Sequence, residues 1–322
     1  MADRTDSPQY RDVPATDILL PAYNGSSYFD EQIESLRRQS VSEFRVVLYD
    51  DRSEDDTQAK IDALVREEPA RFRRIASRPH RLGACAAFAD LLAATEASRV
   101  MFCDHDDVWL PNKIERTLEA MCRAESRHGP NTPILVFTDL QIVDASLRLI
   151  CRSYWQYQRM DPRRLSLPQQ LTQNVPSGCT MMLNRPLVER CRPIPPQAVM
   201  HDHWVSLVAA ALGRFEYVPE ATVLYRQHGR NVFGATGGGP LQLASRARQG
   251  LASMRERFYR NVEQAKAFLD RYRVQLDAEQ VRLLEAFASL QQQGPLARRA
   301  TLLRHRILKS GLARNLASMV VV

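Results

Sequence analysis

The chain has 322 residues, 44% of them hydrophobic and 25% charged, with a formal net charge of +7. That apolar content supports a substantial core and excludes a wholly disordered chain, while no apolar run reaches the ~18 residues that a membrane-spanning helix needs. The charge is uneven: from Leu241 onward there are 15 basic and 6 acidic residues, against 29 and 31 before it, so the basicity belongs to the C-terminal part alone.

The first sixteen residues are polar, with Asp3, Arg4, Asp6, Arg11 and Asp12 and no apolar stretch of the kind a secretory signal carries. Six cysteines (Cys85, Cys103, Cys122, Cys151, Cys179, Cys191) show neither a CxxC pair nor a metal-finger spacing. Both features lead us to expect a protein with reduced thiols, kept in the cytosol. From Asp17 to about Asp139 short apolar runs alternate with amphipathic segments. "DILLPAY", "FRVVLYD", "RVMFCD" and "PILVFTD" read as strands. Between them Phe29/Ile33/Leu36, Ile61/Leu64/Val65, Phe88/Leu91/Leu92 and Ile114/Leu118/Met121 repeat with helical spacing. Strand and helix in alternation predict an α/β fold with a mostly parallel, Rossmann-like sheet covered by helices on both faces. Further on, "DHWVSLVAAALG" reads as a helix, Phe215 to Val218 and Thr222 to Tyr225 as a pair of strands, and "GATGGGP" as a flexible linker. Beyond it the pattern is helical.

Ligands of such sheets bind beyond the carboxyl ends of the strands. Those ends carry Tyr23 and Asn24, Asp50 and Asp51, and the acidic run "DHDD" from Asp104 to Asp107. Close carboxylates repel by roughly 4 kcal/mol per pair at an effective dielectric near 20. A cation among them relieves this, and oxygen ligands favour Mg²⁺ or Mn²⁺. Taken alone, the run also reads as a solvated acidic loop capping the helix that begins near Pro111. Asp51 is placed to accept from a base N–H or a ribose hydroxyl, whereas Ser53, Asp55 and Asp56 read better as the turn and cap of the next helix. Neither GxxxxGK[ST] nor GxGxxG occurs, so no familiar phosphate-cradling loop is present. Asp202, opening "DHWVSLVAAALG", reads on its own as a helix cap. His228 in "YRQHGRN" reads on its own as a loop histidine.

The succession "LLPAYNGSSYFDEQIESLRRQS", "FRVVLYDDRSEDDT", "VMFCDHDDVWLPNKIE", "PSGCTMMLNR", "HDHWVSLVAAALG", "YRQHGRNVFGA" resembles the family 2 glycosyltransferases, which have a GT-A fold. The later motifs resemble most the rhamnosyltransferase-like branch of surface-polysaccharide assembly. The resemblance implies a DxD motif at Asp104 and Asp106, with a divalent metal (Mg²⁺ or Mn²⁺) on Asp106, shared with Asp104 and His228. It implies donor contacts from Ala22, Tyr23, Asn24, Asp51, Arg81, Asp104, Arg226 and Arg230, and a catalytic base at Asp202, with His201 and His203 beside it. Trp109 then belongs to the core, while Trp204 stands between core packing and acceptor contact. The sequence departs from the family at Arg52, where relatives often carry Gly, at His105, where they often carry Gln, and at Arg81 and Ala87, where Asn is expected.

After Glu285 no acidic residue occurs, while Arg298, Arg299, Arg304, Arg306, Lys309 and Arg314 alternate with Leu302, Leu303, Ile307, Leu308, Leu312 and Leu316. This pattern suits contact with an anionic membrane, and equally a helix packed on the catalytic domain. Nucleic acid is disfavoured, since no binding motif is present and the rest of the chain is acidic. The expected organisation is a polar tail at 1–16, a GT-A domain at 17–236 split near 140 into nucleotide-sugar and acceptor halves, and a basic helical region at 237–322. The expected activity is metal-dependent inverting glycosyl transfer, with dTDP-rhamnose ahead of a UDP-hexose as donor and a saccharide or lipid-linked acceptor, at the cytoplasmic face of the inner membrane. The rivals are a catalytically inactive nucleotide-sugar-binding scaffold, which has no use for Asp202, and a nucleotidyltransferase, whose basic Gly-rich signature is missing from "LPAYNGS".

Overall fold

The computed structural model describes residues 16–228 and 240–322. The N-terminal half is a run of strand and helix: β1 (Thr16–Ala22), α1 (Phe29–Arg37), β2 (Phe44–Asp50), α2 (Thr57–Glu67), β3 (Phe72–Arg74), α3 (Ala84–Ala94), β4 (Arg99–Phe102), β5 (Val108–Trp109) and α4 (Lys113–His128). There follow β6 (Ile134–Val143), β7 (Leu149–Cys151), two single-turn helices α5 (Tyr154–Tyr157) and α6 (Leu167–Gln170), β8 (Met181–Asn184), α7 (Arg185–Cys191), α8 (His201–Leu212) and β9 (Arg214–Arg226). Four helices complete the described chain: α9 (Pro240–Tyr272), α10 (Ala278–Ala288), α11 (Pro295–Arg304) and α12 (Leu312–Val321). Of the segment read as a linker, residues 234–239 lie outside the described residues, and so does Arg230.

All strands join one sheet in the order β3-β2-β1-β4-β8-β6-β9-β5, with β7 on β6. The β3-β2-β1-β4 half is parallel, as the strand–helix alternation requires. β8 then enters antiparallel between β4 and β6, and β9 runs parallel to β6. The expected strand pair at Phe215–Val218 and Thr222–Tyr225 is one long strand, β9. Register shifts around Asp139 absorb the interruption at Pro219 and Glu220, so a single strand continues past them.

Side chains alternate across the strands and build a core on each face. Ile18, Leu20, Val46, Leu48 and Met101 face Phe29, Ile33, Ile61, Ile114 and Met121 of α1, α2 and α4. Leu19, Val47, Val100 and Phe102 belong to a cluster that also holds Phe88, Leu187, Trp204 and Val208. The same cluster includes Phe258, Val262, Phe268, Leu284 and Phe287 of α9 and α10, and Leu302, Ile307, Val321 and Val322 near the C-terminus. The Trp204 ring packs on Phe268 at 5.6 Å and its Nε1–H donates to the carbonyl of Cys191. Trp204 is therefore a core residue with no face toward solvent, and so is Trp109.

Because Phe268 of α9 supports Trp204 of α8, loss of its ring is expected to be felt by the whole molecule. Phe268→Ala should cost about 3–5 kcal/mol in urea unfolding. It should do so in a single transition seen alike by tryptophan fluorescence and circular dichroism, and an unchanged midpoint would show that α9 is not part of this core.

Candidate active site

The loops after β1 and β2 are bound to each other before they meet any ligand. Asn24 N–H donates to Ser53 Oγ (3.0 Å), Gly25 N–H to Thr57 Oγ1 (2.9 Å), Ser26 N–H to Asp55 Oδ2 (3.1 Å), and Glu54 N–H returns a bond to Asn24 Oδ1 (2.8 Å). Asn24 and Arg52 adopt left-handed backbone, with φ of 47° and 65°. Asn24 tolerates that region better than most residues, whereas Arg52 stands where Gly would carry no strain. At Gly25 a Cβ would sit 2.2 Å from the imidazole of His105, so glycine there is what lets the acidic loop close onto the first turn.

Next to this turn the carbonyl of Ala22 accepts the Asp51 N–H (2.8 Å). The Asp51 carboxylate is nearly buried and accepts the N–H groups of Leu82 (2.7 Å) and Gly83 (2.8 Å), fixing the entrance to α3. Arg81 lies 3.8 Å from Asp51 Oδ2, and its guanidinium covers the Tyr23 ring at 3.6 Å. Ala22, Tyr23, Asp51 and Arg81 thus share one wall, a planar stacking surface beside a carboxylate.

The acidic run projects beyond β4. Asp106 Oδ2 lies 2.9 Å from His228 Nε2, at the far end of β9. Arg226 is 2% exposed and turned inward: its backbone N–H donates to Asp107 Oδ1 (3.2 Å), Nε to the carbonyl of Asp106 (2.9 Å), one terminal nitrogen to the carbonyl of Ala145 and the other to Glu31. It acts as a clamp on the acidic loop, where the sequence reading expected it at the donor. Asp107 is fully buried, and oxygens of Asp104 and Asp107 and Sγ of Cys179 lie within 4.8 Å of one another. Burial, then the charges of Asp106 and Asp202, push the Asp104 carboxyl up to about 7. The same causes, with Asp106 and Asp104 as the charges, hold Asp107 well above the usual carboxylate range. Lys113, at the start of α4, is buried beneath them with its ammonium 4.5 Å over the Trp109 ring, and burial lowers it to about 8. The donor set fits a divalent cation: among the described residues Asp106 and His228 converge without a salt-bridging Lys or Arg, and the buried Asp107 Oδ2 has only the weakly donating Cys179 thiol beside it.

Asp202 enters from α8. One oxygen accepts the Gly178 N–H (3.1 Å) and the other the His203 N–H (2.6 Å). It satisfies part of the helix start, but the cap position itself belongs to Met200. Burial raises Asp202 to about 6, and its charge contributes to the shift of Asp104, so the two acids border one space. A Cβ on Gly178 would meet His201 Nε2 at 2.8 Å and Asp202 Cβ at 3.4 Å; a larger residue would push the acid away. His201 is sandwiched against Phe88 (3.8 Å) and Phe102 (4.6 Å), its ring nitrogens unpartnered, and burial lowers it to about 3. It is a neutral packing element behind Asp202. His203 Nε2 bonds the carbonyl of Gln170 (2.6 Å), tying α8 to α6.

Sequence reading did not single out Cys179, Gly178 or Lys113. A thiol in apolar company and a lone lysine at the start of a helical pattern carry no spacing signal. Only the fold puts them under the acids.

Comparison with known proteins gives the family and the fold. The chain belongs to glycosyl transferase family 2, whose profile matches residues 17–189. It is 26% identical over 219 residues to an uncharacterized glycosyltransferase of Nostoc sp., covering 66% of this chain and 65% of that one. It is 26% identical over 106 residues to the UDP-Glc:alpha-D-GlcNAc-diphosphoundecaprenol beta-1,3-glucosyltransferase WfgD of Escherichia coli, covering 33% and 40%. In both cases the match spans less than two thirds of the relative's own length. Among solved structures, S. aureus TarS in complex with UDP-GlcNAc aligns over 95% of this chain and 89% of that one, with a TM-score of 0.53 at 14% identity. The fold is GT-A.

A carboxyl titrating near 7 in the folded chain and near 4 in the unfolded one makes folding less favourable as pH rises between those values, and the loss persists above them. In the presence of EDTA, Asp104→Asn is therefore expected to raise Tm at about pH 8 and to raise it less at about pH 5. A lowered Tm at the higher pH would make Asp104 a net stabiliser and refute the repulsion described here.

Proposed function

We propose that this chain transfers a glycosyl group from a nucleotide-sugar to a hydroxyl of a saccharide or lipid-linked acceptor, with inversion and with the help of a divalent ion. The observation that carries this reading is Asp202: a half-buried carboxylate with a raised pKa, bordering the same space as the DxD acids. An inactive scaffold has no need of such a group. In this reading Asp202 accepts the proton of the acceptor hydroxyl as its oxygen forms a bond to the anomeric carbon. The bond to the donor diphosphate breaks, its electron pair leaves on the phosphate oxygen, and one in-line displacement inverts the centre. Tyr23, Arg81 and Asp51 hold the base and ribose, and Asp104, Asp106 and His228 are the groups that would hold Mg²⁺ or Mn²⁺. The ion, when bound, offsets charge developing on the departing diphosphate.

For the sugar we favour L-rhamnose from a dTDP donor, on the resemblance of the later motifs, with a UDP-hexose second. Support for a nucleotide-sugar comes from the UDP-GlcNAc held by TarS, and support for a lipid-linked acceptor from the substrate in the name of WfgD. Among the described residues no helix is long and apolar enough to cross a membrane. However, Leu303, Leu312, Leu316 and Val320 of α11 and α12 are 59%, 76%, 59% and 66% exposed, beside the exposed Arg304 and Arg306. That surface suits peripheral contact with anionic lipid at the cytoplasmic face.

Three measurements test the proposal. Calorimetric titration with dTDP-rhamnose and UDP-sugars should show one donor binding in the presence of Mn²⁺ or Mg²⁺ and losing affinity with EDTA; no binding to any of them would favour the scaffold. Asp202→Asn should keep donor affinity within a few-fold and lower kcat by about 10³ or more, as removal of a general base does. Replacing Leu312, Leu316 and Val320 together by Ser spares the buried Leu302, Ile307 and Val321. Sedimentation with anionic liposomes should fall sharply in that variant, and full sedimentation would assign this surface another role.

A further inference from the structure

Asp106 and His228 form one pair of donor groups; a second set lies inward of it. A carboxylate oxygen of Asp104, one of Asp107 and Sγ of Cys179 are within 4.8 Å of one another. Two of the three residues are buried, Asp107 at 0% and Cys179 at 3%, while Asp104 is partly open to the cleft and leaves a route of entry. Asp107 uses Oδ1 to accept the Arg226 N–H, while among the described residues its buried Oδ2 has nothing but the weakly donating Cys179 thiol beside it. A buried carboxylate oxygen left in that state is costly, and proteins satisfy such atoms with a donor or a cation.

The chemistry of the set discriminates among cations. Mg²⁺ requires near-octahedral oxygen ligands at ~2.0–2.1 Å and has little use for sulfur. Zn²⁺ and its spectroscopic substitute Co²⁺ accept mixed oxygen and thiolate ligands, at ~2.0–2.2 Å from oxygen and ~2.3 Å from sulfur. Tetrahedral ligand atoms at those lengths stand roughly 3.5 Å apart, so the three groups need close by only about an ångström.

We propose that Asp104, Asp107 and Cys179 form an inner site for a thiophilic divalent ion, adjoining the outer position at Asp106 and His228 and sharing Asp104 with it. Binding replaces the Cys179 thiol proton, which leaves to solvent, by a sulfur–metal bond with no change of oxidation state. Burial and the charges of Asp107 and Asp104 hold the Cys179 thiol well above its ordinary value, which the Lys113 ammonium offsets only in part, so it is the ion that displaces the proton. This site stands apart from the reading of Asp202 as a base and holds whether or not the chain transfers sugar.

The test is a Co²⁺ titration of the full chain under reducing conditions, on a Cys122→Ser background that removes the exposed thiol. One equivalent should produce the intense near-ultraviolet band of a thiolate–Co²⁺ bond. Cys179→Ser should abolish that band, and Asp107→Asn should weaken Co²⁺ binding by tenfold or more. Mn²⁺-dependent donor binding should persist in Cys179→Ser, which separates this site from the outer one. Absence of the band in the parent, or its survival at full intensity in Cys179→Ser, overturns the proposal. Should Cys179→Ser fail to fold, unchanged Co²⁺ affinity in Asp107→Asn overturns it equally.

Discussion

Several carboxylates share one poorly hydrated space, and the rest of this end of the molecule is arranged around that constraint. Two charges 4 Å apart repel by ~4 kcal/mol at an effective dielectric of 20, and burial adds to the penalty of ionising them. The acidic loop contains nothing that relieves this. Relief comes from outside it: the N–H of Arg226, 119 residues on, donates to the Asp107 carboxylate, and Lys113 lies beneath Asp107 from the next helix. The long β9 strand matters for this reason, since it carries Arg226 and His228 past the sheet edge to meet the loop after β4.

Asp202 follows a different logic. It stands in the first turn of α8, where the helix dipole and free N–H groups favour a negative charge. It accepts one N–H from that turn, His203, and one from Gly178 outside the helix, yet its pKa still rises to about 6, so desolvation outweighs both. The neutral His201, packed between two phenylalanines, keeps water from one side of it. Gly178 allows the approach. A carboxylate that is ionised near neutrality but close to its protonated form suits the role proposed for it, taking a proton from a hydroxyl.

Much of this was legible in the sequence where the signal is local. Apolar runs located β1, β2, β4 and β6, and the 3.6-residue spacing located α1 to α4 and α8. β8 was missed, because "MMLN" is only four residues long and becomes a strand by fitting antiparallel between β4 and β6, a tertiary cause. β9 was split in two since Pro219 looks like a break, and only the register shift opposite Asp139 carries the strand through it. At the site, the residues alone left Asp202 as a cap and His228 as a loop histidine. The ordered set of motifs was needed to join them to the DxD pair. Arg226 was expected at the donor, but an arginine's partners are chosen by the fold, and here Glu31, Ala145 and Asp106 take its side-chain nitrogens.

The C-terminal helices bring the two charge balances of the chain together. Their apolar residues divide between those that close the core, such as Leu302, Ile307 and Val321, and those that face outward, such as Leu312 and Leu316. An ordinary surface helix buries its apolar stripe and leaves the charged face in water. Here leucines stand outside while some arginines turn inward: Arg298 bonds Tyr259 and the carbonyl of Leu290, and Arg299 bonds the carbonyl of Met319. Part of the basic charge therefore anchors the helices to the body, while Arg304 and Arg306 remain exposed. With acids gathered at one rim and exposed arginines on the C-terminal helices, the chain presents fields of opposite sign at two separate parts of its surface.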